Sequence, residues 1–416
     1  MPLTTILMYR SVLPIAFAIG VFSMMPPLVS AAAAPSAGAA PSGDAATTRQ
    51  AASDGGLLAG QDPIVDTKTS VLDVTTLGDL GGLVDVLKDA RVVFVGETHD
   101  RYEDHLNQLA IIRGLHERDR DIAIGMEYFQ QPFQPALDAF VAGKLSEADL
   151  LRRTEYFDRW RFDYRLYRPI LRYAREHGIP LIALNVPSEI VDKVGDGGFK
   201  ALNEAETATI PAEIDRSDET YRNHIEAVFR MHPNAEDADF EHFLDVQLLW
   251  DEGMAERAAE YLEAHPRRTL VVLTGAGHVE YGRGIPQRVT RRVAVPAVTV
   301  ISGQDRPLDP ALADYILYPR AIGLPATGLL GVMLDVESEG DGVGVRDFSD
   351  NSGAKAAGIK AGDRIVRVGD QAIHGYADVR IALMDSRPGQ KLPVEVIRRG
   401  AFLGSPQRLL LQVELH

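Results

Sequence analysis

Four short apolar runs, each followed at once by polar residues, constrain the fold of this chain more than any other feature. The runs are mainly β-branched or otherwise apolar and cover residues 91–95, 122–126, 180–184 and 269–273. Segments of helical periodicity lie between them, among them residues 104–117, 166–177 and 240–264. Strands that are buried on both faces and joined by helices form βαβ units. The sequence therefore predicts an α/β fold with a mostly parallel or mixed sheet flanked by helices.

The rest of the chain divides by composition. An almost uncharged apolar stretch follows Arg10 and ends in small residues, which is the order of a secretory signal peptide. A stretch rich in Ala, Ser, Gly and Pro comes next and is typical of a flexible linker. The C-terminal part consists of short strand patterns joined by turns that contain Gly and Asp. We predict a signal peptide, a linker, an α/β domain, a second linker and a small β-rich domain at residues 1–31, 32–69, 70–305, 306–323 and 324–416.

The signal sequence predicts export, to the periplasm or out of the cell, with cleavage of the leader. The alternative is an uncleaved anchor helix, but Pro14, Pro26 and Pro27 interrupt the apolar run. The chain has no cysteine, so we expect neither disulfides nor a lipid-anchor cysteine. A net charge of −16 without a basic stripe argues against nucleic acid as a partner.

Polar residues follow all four predicted strands. Glu97 and His99 come after the first, Glu127 after the second, and His278 after the fourth. Loops at the carboxyl ends of parallel strands converge at one edge of a sheet, so we predict a single catalytic cluster of these four residues. We add as pocket residues Asn185, which follows the third strand, and His105, whose alternative is a core histidine with a satisfied ring nitrogen.

Two chemistries fit such a cluster. His99, His278 and Glu127 are suitable ligands for a divalent metal ion that activates water. Without a metal, the same imidazoles and carboxylates are suited to general acid–base catalysis. None of the spacing motifs of zinc proteases, serine hydrolases or nucleotide-binding loops occurs. The residues alone leave both chemistries open.

Six motifs, in order, resemble those of the ChaN-like haem-binding proteins. They are residues 96–100 with His105 after them, 126–129, 167–170, 182–187, 247–251 and 275–281. The resemblance implies a haem-binding protein of the bacterial envelope, associated with iron uptake. It also implies membership of the superfamily that includes the Tiki proteases, which are similar through two G-x-x-H motifs, here residues 96–99 and 275–278.

The resemblance carries further expectations about the site. Tyr128, Tyr167 and Asp251 lie in these motifs and are expected to line the pocket. The iron ligand of haem-binding relatives is expected to be a tyrosine, for which the candidates here are Tyr102, Tyr128, Tyr164 and Tyr167. Pairing of some relatives across a shared ligand implies a homodimer. The alternative function is that of a Tiki-like metal-dependent hydrolase or peptidase. A third possibility is an interaction protein whose site has decayed, but the intact cluster disfavours it.

The C-terminal segment resembles a bacterial PDZ domain, through residues 328–332 and 352–366. The resemblance implies that backbone amides around Leu330, Gly331 and Val332 hold the C-terminal carboxylate of a peptide. The bound peptide would add a strand to an open sheet edge. The alternative is a docking element without a free peptide ligand.

Overall fold

The computed structural model describes residues 72–118, 120–231, 239–337, 339–400 and 405–416. The predicted signal peptide and the whole of the first predicted linker lie outside these residues. Across the described ranges, no helix combines the length and the apolar character needed to cross a membrane.

The first domain is built on a six-stranded parallel sheet. Its strands are β1 (Val92–Glu97), β2 (Ile122–Gln130), β3 (Leu181–Asn185), β4 (Thr269–Gly275), β5 (Ala297–Ser302) and β6 (Tyr315–Leu317). Their order is β3-β2-β4-β1-β5-β6, and every adjacent pair is parallel. The predicted parallel α/β fold is confirmed. The last strand, β6, lies in the segment predicted to be the second linker. It was not predicted as a strand because three residues are too few for their periodicity to reveal one.

Helices cover both faces of this sheet. They are α1 (Leu80–Leu87), α2 (Tyr102–His116), α3 (Gln134–Val141), α4 (Glu147–Arg153), α5 (Tyr156–Arg159), α6 (Tyr164–His177), α7 (Ser188–Gly197), α8 (Glu204–Thr207), α9 (Glu219–Arg230), α10 (Phe240–Ala264) and α11 (Ile285–Arg292). Several begin at a side chain that caps free backbone amides, as Asp239 does for α10. The three helices predicted from periodicity correspond to α2, α6 and α10, with ends within two residues of those expected.

Alternation along the strands divides the core into two layers. Val93 and Val95 of β1 pack in the cluster that includes α2 and α6, whereas Val92 and Phe94 pack in the cluster that includes α10 and α11. Each such buried side chain contributes about 1.5–3 kcal/mol relative to exposure. Because helices cover both faces, the carboxyl edge of the strands is where polar side chains of the sheet can meet solvent.

The second domain is an antiparallel sheet with two helices. Its elements are β7 (Val332–Asp335), β8 (Val343–Phe348), α12 (Gly353–Ala356), β9 (Arg364–Val368), β10 (Gln371–Ala372), α13 (Tyr376–Leu383), β11 (Lys391–Arg398) and β12 (Gln407–Glu414). The strand order is β12-β11-β9-β8-β7, and β10 pairs with β9. This confirms the predicted β-rich domain and leaves β7 at one edge.

Candidate functional site

The carboxyl edge of three adjacent strands brings the predicted cluster together. β4 lies between β2 and β1, so the loop that carries His278 runs between Glu127 on one side and Glu97 with His99 on the other. Glu97 and Glu127 are only 2% and 4% exposed. Charges this deeply buried need close partners, and the two histidines provide them.

His99 is oriented by Glu97. Its Nδ1 lies 2.6 Å from Glu97 Oε1, and because an ionised carboxylate only accepts hydrogen bonds, Nδ1 carries the proton. Among the described residues, no hydrogen bond reaches the other ring nitrogen, Nε2, and the side chain is 16% exposed. His99 therefore has one ring nitrogen fixed by a buried carboxylate and the other available to a ligand or a proton.

The His99 ring is also fixed by the shape of its surroundings. A Cβ atom on Gly275 would lie 2.9 Å from Cε1 and 3.1 Å from Nε2 of the ring, so only glycine leaves room for it. The rings of Trp160 and Phe162 flank His99, with centroids at 5.0 and 4.9 Å. The Gly275 amide donates to Glu127 Oε2 over 2.7 Å. The end of β4 thus positions both an imidazole and a carboxylate.

His278 contacts carboxylates through both ring nitrogens. Its Nδ1 lies 2.6 Å from Asp251 Oδ1, and its Nε2 lies 3.5 Å from Glu127 Oε1. Asp251, on α10, is 1% exposed, and its second oxygen accepts a hydrogen bond of 2.6 Å from the Tyr221 hydroxyl. A continuous chain therefore runs from Tyr221 on α9 to Glu127 on β2.

The carboxylates control the charge of the two imidazoles. Burial acts to lower the pKa of His278, but the charges of Glu127 and Asp251 outweigh it and hold that pKa well above 6.5. At His99, burial likewise acts to lower the pKa, but the charge of Glu97 opposes this effect, and the pKa of His99 is also raised. Burial acts to raise the pKa of Glu127, yet the charge of His278 brings it below 4.5. The cluster consequently favours imidazolium–carboxylate pairs near neutral pH.

His105 and Tyr167 form a layer beneath His99. His105 is 1% exposed, with Nε2 3.1 Å from the carbonyl oxygen of His99 and Nδ1 3.1 Å from Gln108 Oε1. The Tyr167 hydroxyl donates to the same carbonyl over 3.1 Å. Both ring nitrogens of His105 are therefore engaged, and these two pocket residues hold the loop that carries His99.

Asn185 reaches the same edge but faces backbone atoms. Its Nδ2 donates to the carbonyl of Glu127 over 3.1 Å, and its Oδ1 accepts from the Val186 amide over 2.9 Å. This geometry joins the end of β3 to the backbone of β2 at Glu127 and so helps to fix the position of that residue.

The candidate tyrosine ligands differ in accessibility. Tyr128, Tyr164 and Tyr167 are between 0% and 4% exposed, and burial raises the pKa of each phenol well above 10. Tyr102 is half-buried. An iron phenolate requires an accessible and deprotonated oxygen, so of the four candidates only Tyr102 meets the first condition.

Several residues of the site lack any sequence motif that indicates their role. Trp160, Phe162 and Tyr221 reach the cluster from segments far from the four strands. Tyr281, the last residue of the motif at 275–281, is 37% exposed and has a φ of +59°, which is uncommon for a tyrosine.

Within the described ranges, no group of three or more His, Asp or Glu side chains is arranged to hold a metal ion. His99, His278 and Glu127 lie close together, but His278 already faces carboxylates through both nitrogens. The expectation of a divalent metal bound by these three residues stays a prediction.

The predicted peptide-binding loop lies before the edge strand β7. Gly331 has a φ of +73°, a conformation that favours glycine. The carbonyl of Leu330 accepts from the Ala354 amide over 3.0 Å, whereas no hydrogen bond from the amides of Leu330 and Gly331 is found in the described part of the chain. These two amides are thus available to an incoming carboxylate beside the free edge of β7.

The chain matches two protein families. Residues 83–289 match the family described as haem-binding uptake, Tiki superfamily, ChaN, and residues 328–404 match the PDZ domain. The ChaN match includes all four residues of the cluster, and the PDZ match includes the loop before β7.

Similar proteins are found in plants and bacteria. Protein RETICULATA-RELATED 5, chloroplastic, from Arabidopsis thaliana is 26% identical over 270 residues, which are 56% of this chain and 35% of that protein. Serine protease Do-like HtrB from Bacillus subtilis is 35% identical over 98 residues, 23% of this chain and 20% of that protein. The chain thus spans about a third of the length of the first relative and a fifth of the length of the second.

A solved structure of haem-bound ChaN from Campylobacter jejuni is 16% identical, with a TM-score of 0.47 over 58% of this chain and 91% of that one. The chain therefore joins a domain of the ChaN family of haem-binding uptake proteins, in the Tiki superfamily, to a C-terminal PDZ domain.

Proposed function

We propose that this protein is an exported haem-binding protein of the ChaN type, in which His99 provides the ligand to the haem iron. One observation carries the proposal: Nδ1 of His99 is held by Glu97, while Nε2 is available at the open edge. Metal-binding histidines commonly donate their second N–H to a carboxylate, which fixes the ring and raises its basicity. The partly exposed ring of Phe162 beside His99 offers apolar surface of the kind that a porphyrin contacts, and the buried ring of Trp160 supports it. These residues fit a haem group.

Histidine suits this role here better than the buried tyrosines. The hydroxyl of Tyr167 already donates to the backbone, and burial opposes loss of its proton. Because the pKa of His99 is raised, iron must displace a proton from Nε2, so haem affinity should increase as the pH rises through that pKa. The PDZ domain would recruit a protein or peptide C-terminus through the amides of Leu330 and Gly331.

A haemin titration of the purified mature protein tests the proposal. We expect saturable binding with a shifted Soret band, and an affinity about 10- to 100-fold weaker in Glu97→Gln, since the carboxamide no longer fixes the ring as a charged acceptor. Glu241→Gln makes the same change at a carboxylate that is 50% exposed and pairs with Arg222, and it should bind haemin as the wild type does. Light scattering with and without haemin measures the molar mass of the protein and so tests whether it forms the expected homodimer. Failure of the wild-type protein to shift the Soret band would contradict haem binding.

Hydrolysis by the same cluster is the second candidate function. It is favoured by the two imidazole–carboxylate pairs, His99 with Glu97 and His278 with Asp251, which resemble general acid–base groups tuned by neighbouring charge. In this role His99 Nε2 exchanges a proton with a substrate or a water molecule, while the PDZ domain delivers a peptide. Ester and peptide hydrolysis by the wild type that is lost in Glu127→Gln would support it, and an inactive wild type that binds haemin would exclude it.

A further inference from the structure

The PDZ domain contacts the first domain through α13, a helix that shares the PDZ core with Leu330 of the predicted peptide-binding loop. Val379 and Leu383 of α13 belong to the PDZ core together with Leu330. Ile381, on the same helix, is buried in the core of the first domain. α13 therefore has one side in each domain and packs against α4 and α5.

Charged side chains reinforce this contact. Arg152 Nε of α4 donates to Asp378 Oδ1 over 2.8 Å, and the second oxygen of Asp378 accepts from the His374 amide over 2.9 Å. The Arg380 guanidinium lies 5.1 Å from the centroid of the Phe157 ring on α5. A cation over an aromatic ring is attracted by it, so α5 is held directly by the PDZ helix.

The segment that includes α5 has unusual backbone at both ends. Glu155 and Arg161 have φ values of +49° and +70°, although neither is glycine. Such conformations persist where the surroundings enforce them, and they occur often at switch regions. Residues 155–161 are therefore held in place by their contacts.

The same segment ends at the wall of the His99 site. Trp160 is 5% exposed, lies against the His99 ring and donates through Nε1 to the Tyr167 hydroxyl over 3.0 Å. That hydroxyl donates in turn to the carbonyl of His99. A displacement of α5 would thus alter both the ring that covers His99 and the hydrogen bonds of its backbone.

We propose that the PDZ domain positions Trp160 over His99, through the contact of α13 with residues 155–161. Phe157 and Arg380 are positioning residues in this arrangement. A change in α13 is transmitted to the His99 site, and by thermodynamic linkage a ligand at His99 affects α13 equally. The proposal goes beyond haem binding or hydrolysis, because it concerns how the site is held whichever ligand it takes.

Two variants of the full-length protein test this inference from opposite sides of the contact. Arg380→Ala removes the cation over Phe157, and Arg152→Ala removes the ion pair from the first domain. Each is made with Trp250→Phe, so that Trp160 is the only tryptophan. In both variants we expect the fluorescence emission of Trp160 to shift to longer wavelength. We also expect amide hydrogen exchange in residues 155–161 to become about tenfold faster, a factor within the usual range of coupling between sites.

The control is Arg408→Ala in the same background. Arg408 pairs with Glu395 across β11 and β12, is 62% exposed, and should leave Trp160 unchanged. Because Arg152 is 40% exposed, its removal leaves the folded protein available for measurement. Faster exchange in α13 with unchanged Trp160 emission and unchanged exchange in residues 155–161 would overturn the proposal. These readouts use neither haem nor hydrolysis, so the inference can fail while the proposed function stands, and the reverse.

Discussion

Asp251→Ala is expected to destabilise the first domain by about 3–5 kcal/mol, the usual result of removing one partner from a buried ion pair. The substitution leaves the His278 imidazolium without one of its two counter-charges and the Tyr221 hydroxyl without an acceptor. Urea unfolding followed by circular dichroism measures the loss.

Glu241→Ala is the matched control for this prediction. Glu241 lies on the same helix, α10, and pairs with Arg222 at the surface, where its side chain is 50% exposed. Exposed pairs contribute about 0–1 kcal/mol, so this variant should be nearly as stable as the wild type. Equal losses in the two variants would mean that the chain from Tyr221 to Glu127 contributes nothing special to stability.

Gly275→Ala is expected to weaken the function of the site about 100-fold, because a displacement of a reacting group by about 1 Å has effects of this size. The added methyl group would lie 2.9 Å from Cε1 of the His99 ring, so the ring must move from its place beside Glu97. Overpacking should also cost about 1–3 kcal/mol of stability, an effect on folding that is separate from the loss of binding. Haemin titration and urea unfolding of the same variant separate the two effects.

Gly78→Ala serves as the control, since no atom lies within 4 Å of the Cβ that it adds. It should bind haemin as the wild type does. Gly275→Ala that retains wild-type haemin affinity would show that His99 need not occupy the position described.

The strand pattern was sufficient to predict the parallel sheet and the convergence of the cluster. Each apolar run is buried on both faces, and the carboxyl ends of parallel strands share an edge, so the positions of Glu97 and Glu127 follow from topology. The strand order of the sheet, which places β4 between β2 and β1, did not follow from the sequence. It depends on packing between helices that are distant along the chain.

The partners of the cluster residues were harder to predict. A motif identified Asp251, but nothing in the sequence indicated that Tyr221 would contact it, because α9 and α10 meet only in the folded chain. His105 was left between a pocket residue and a core residue; it is buried, and its Nε2 lies 3.1 Å from the His99 carbonyl oxygen and 3.8 Å from Glu97 Oε2, beside the cluster. The role of Gly275 emerges only once the ring of His99 is seen against it.

The most direct test of the central claim, that His99 presents Nε2 as the reactive atom of the site, is a haemin titration of His99→Ala beside His116→Ala. His116 is a histidine of α2 whose Nδ1 lies 2.8 Å from the Tyr173 hydroxyl, away from the cluster. We expect His99→Ala to lose the Soret shift of the wild type and His116→Ala to keep it. An unchanged spectrum and affinity in His99→Ala would contradict the claim.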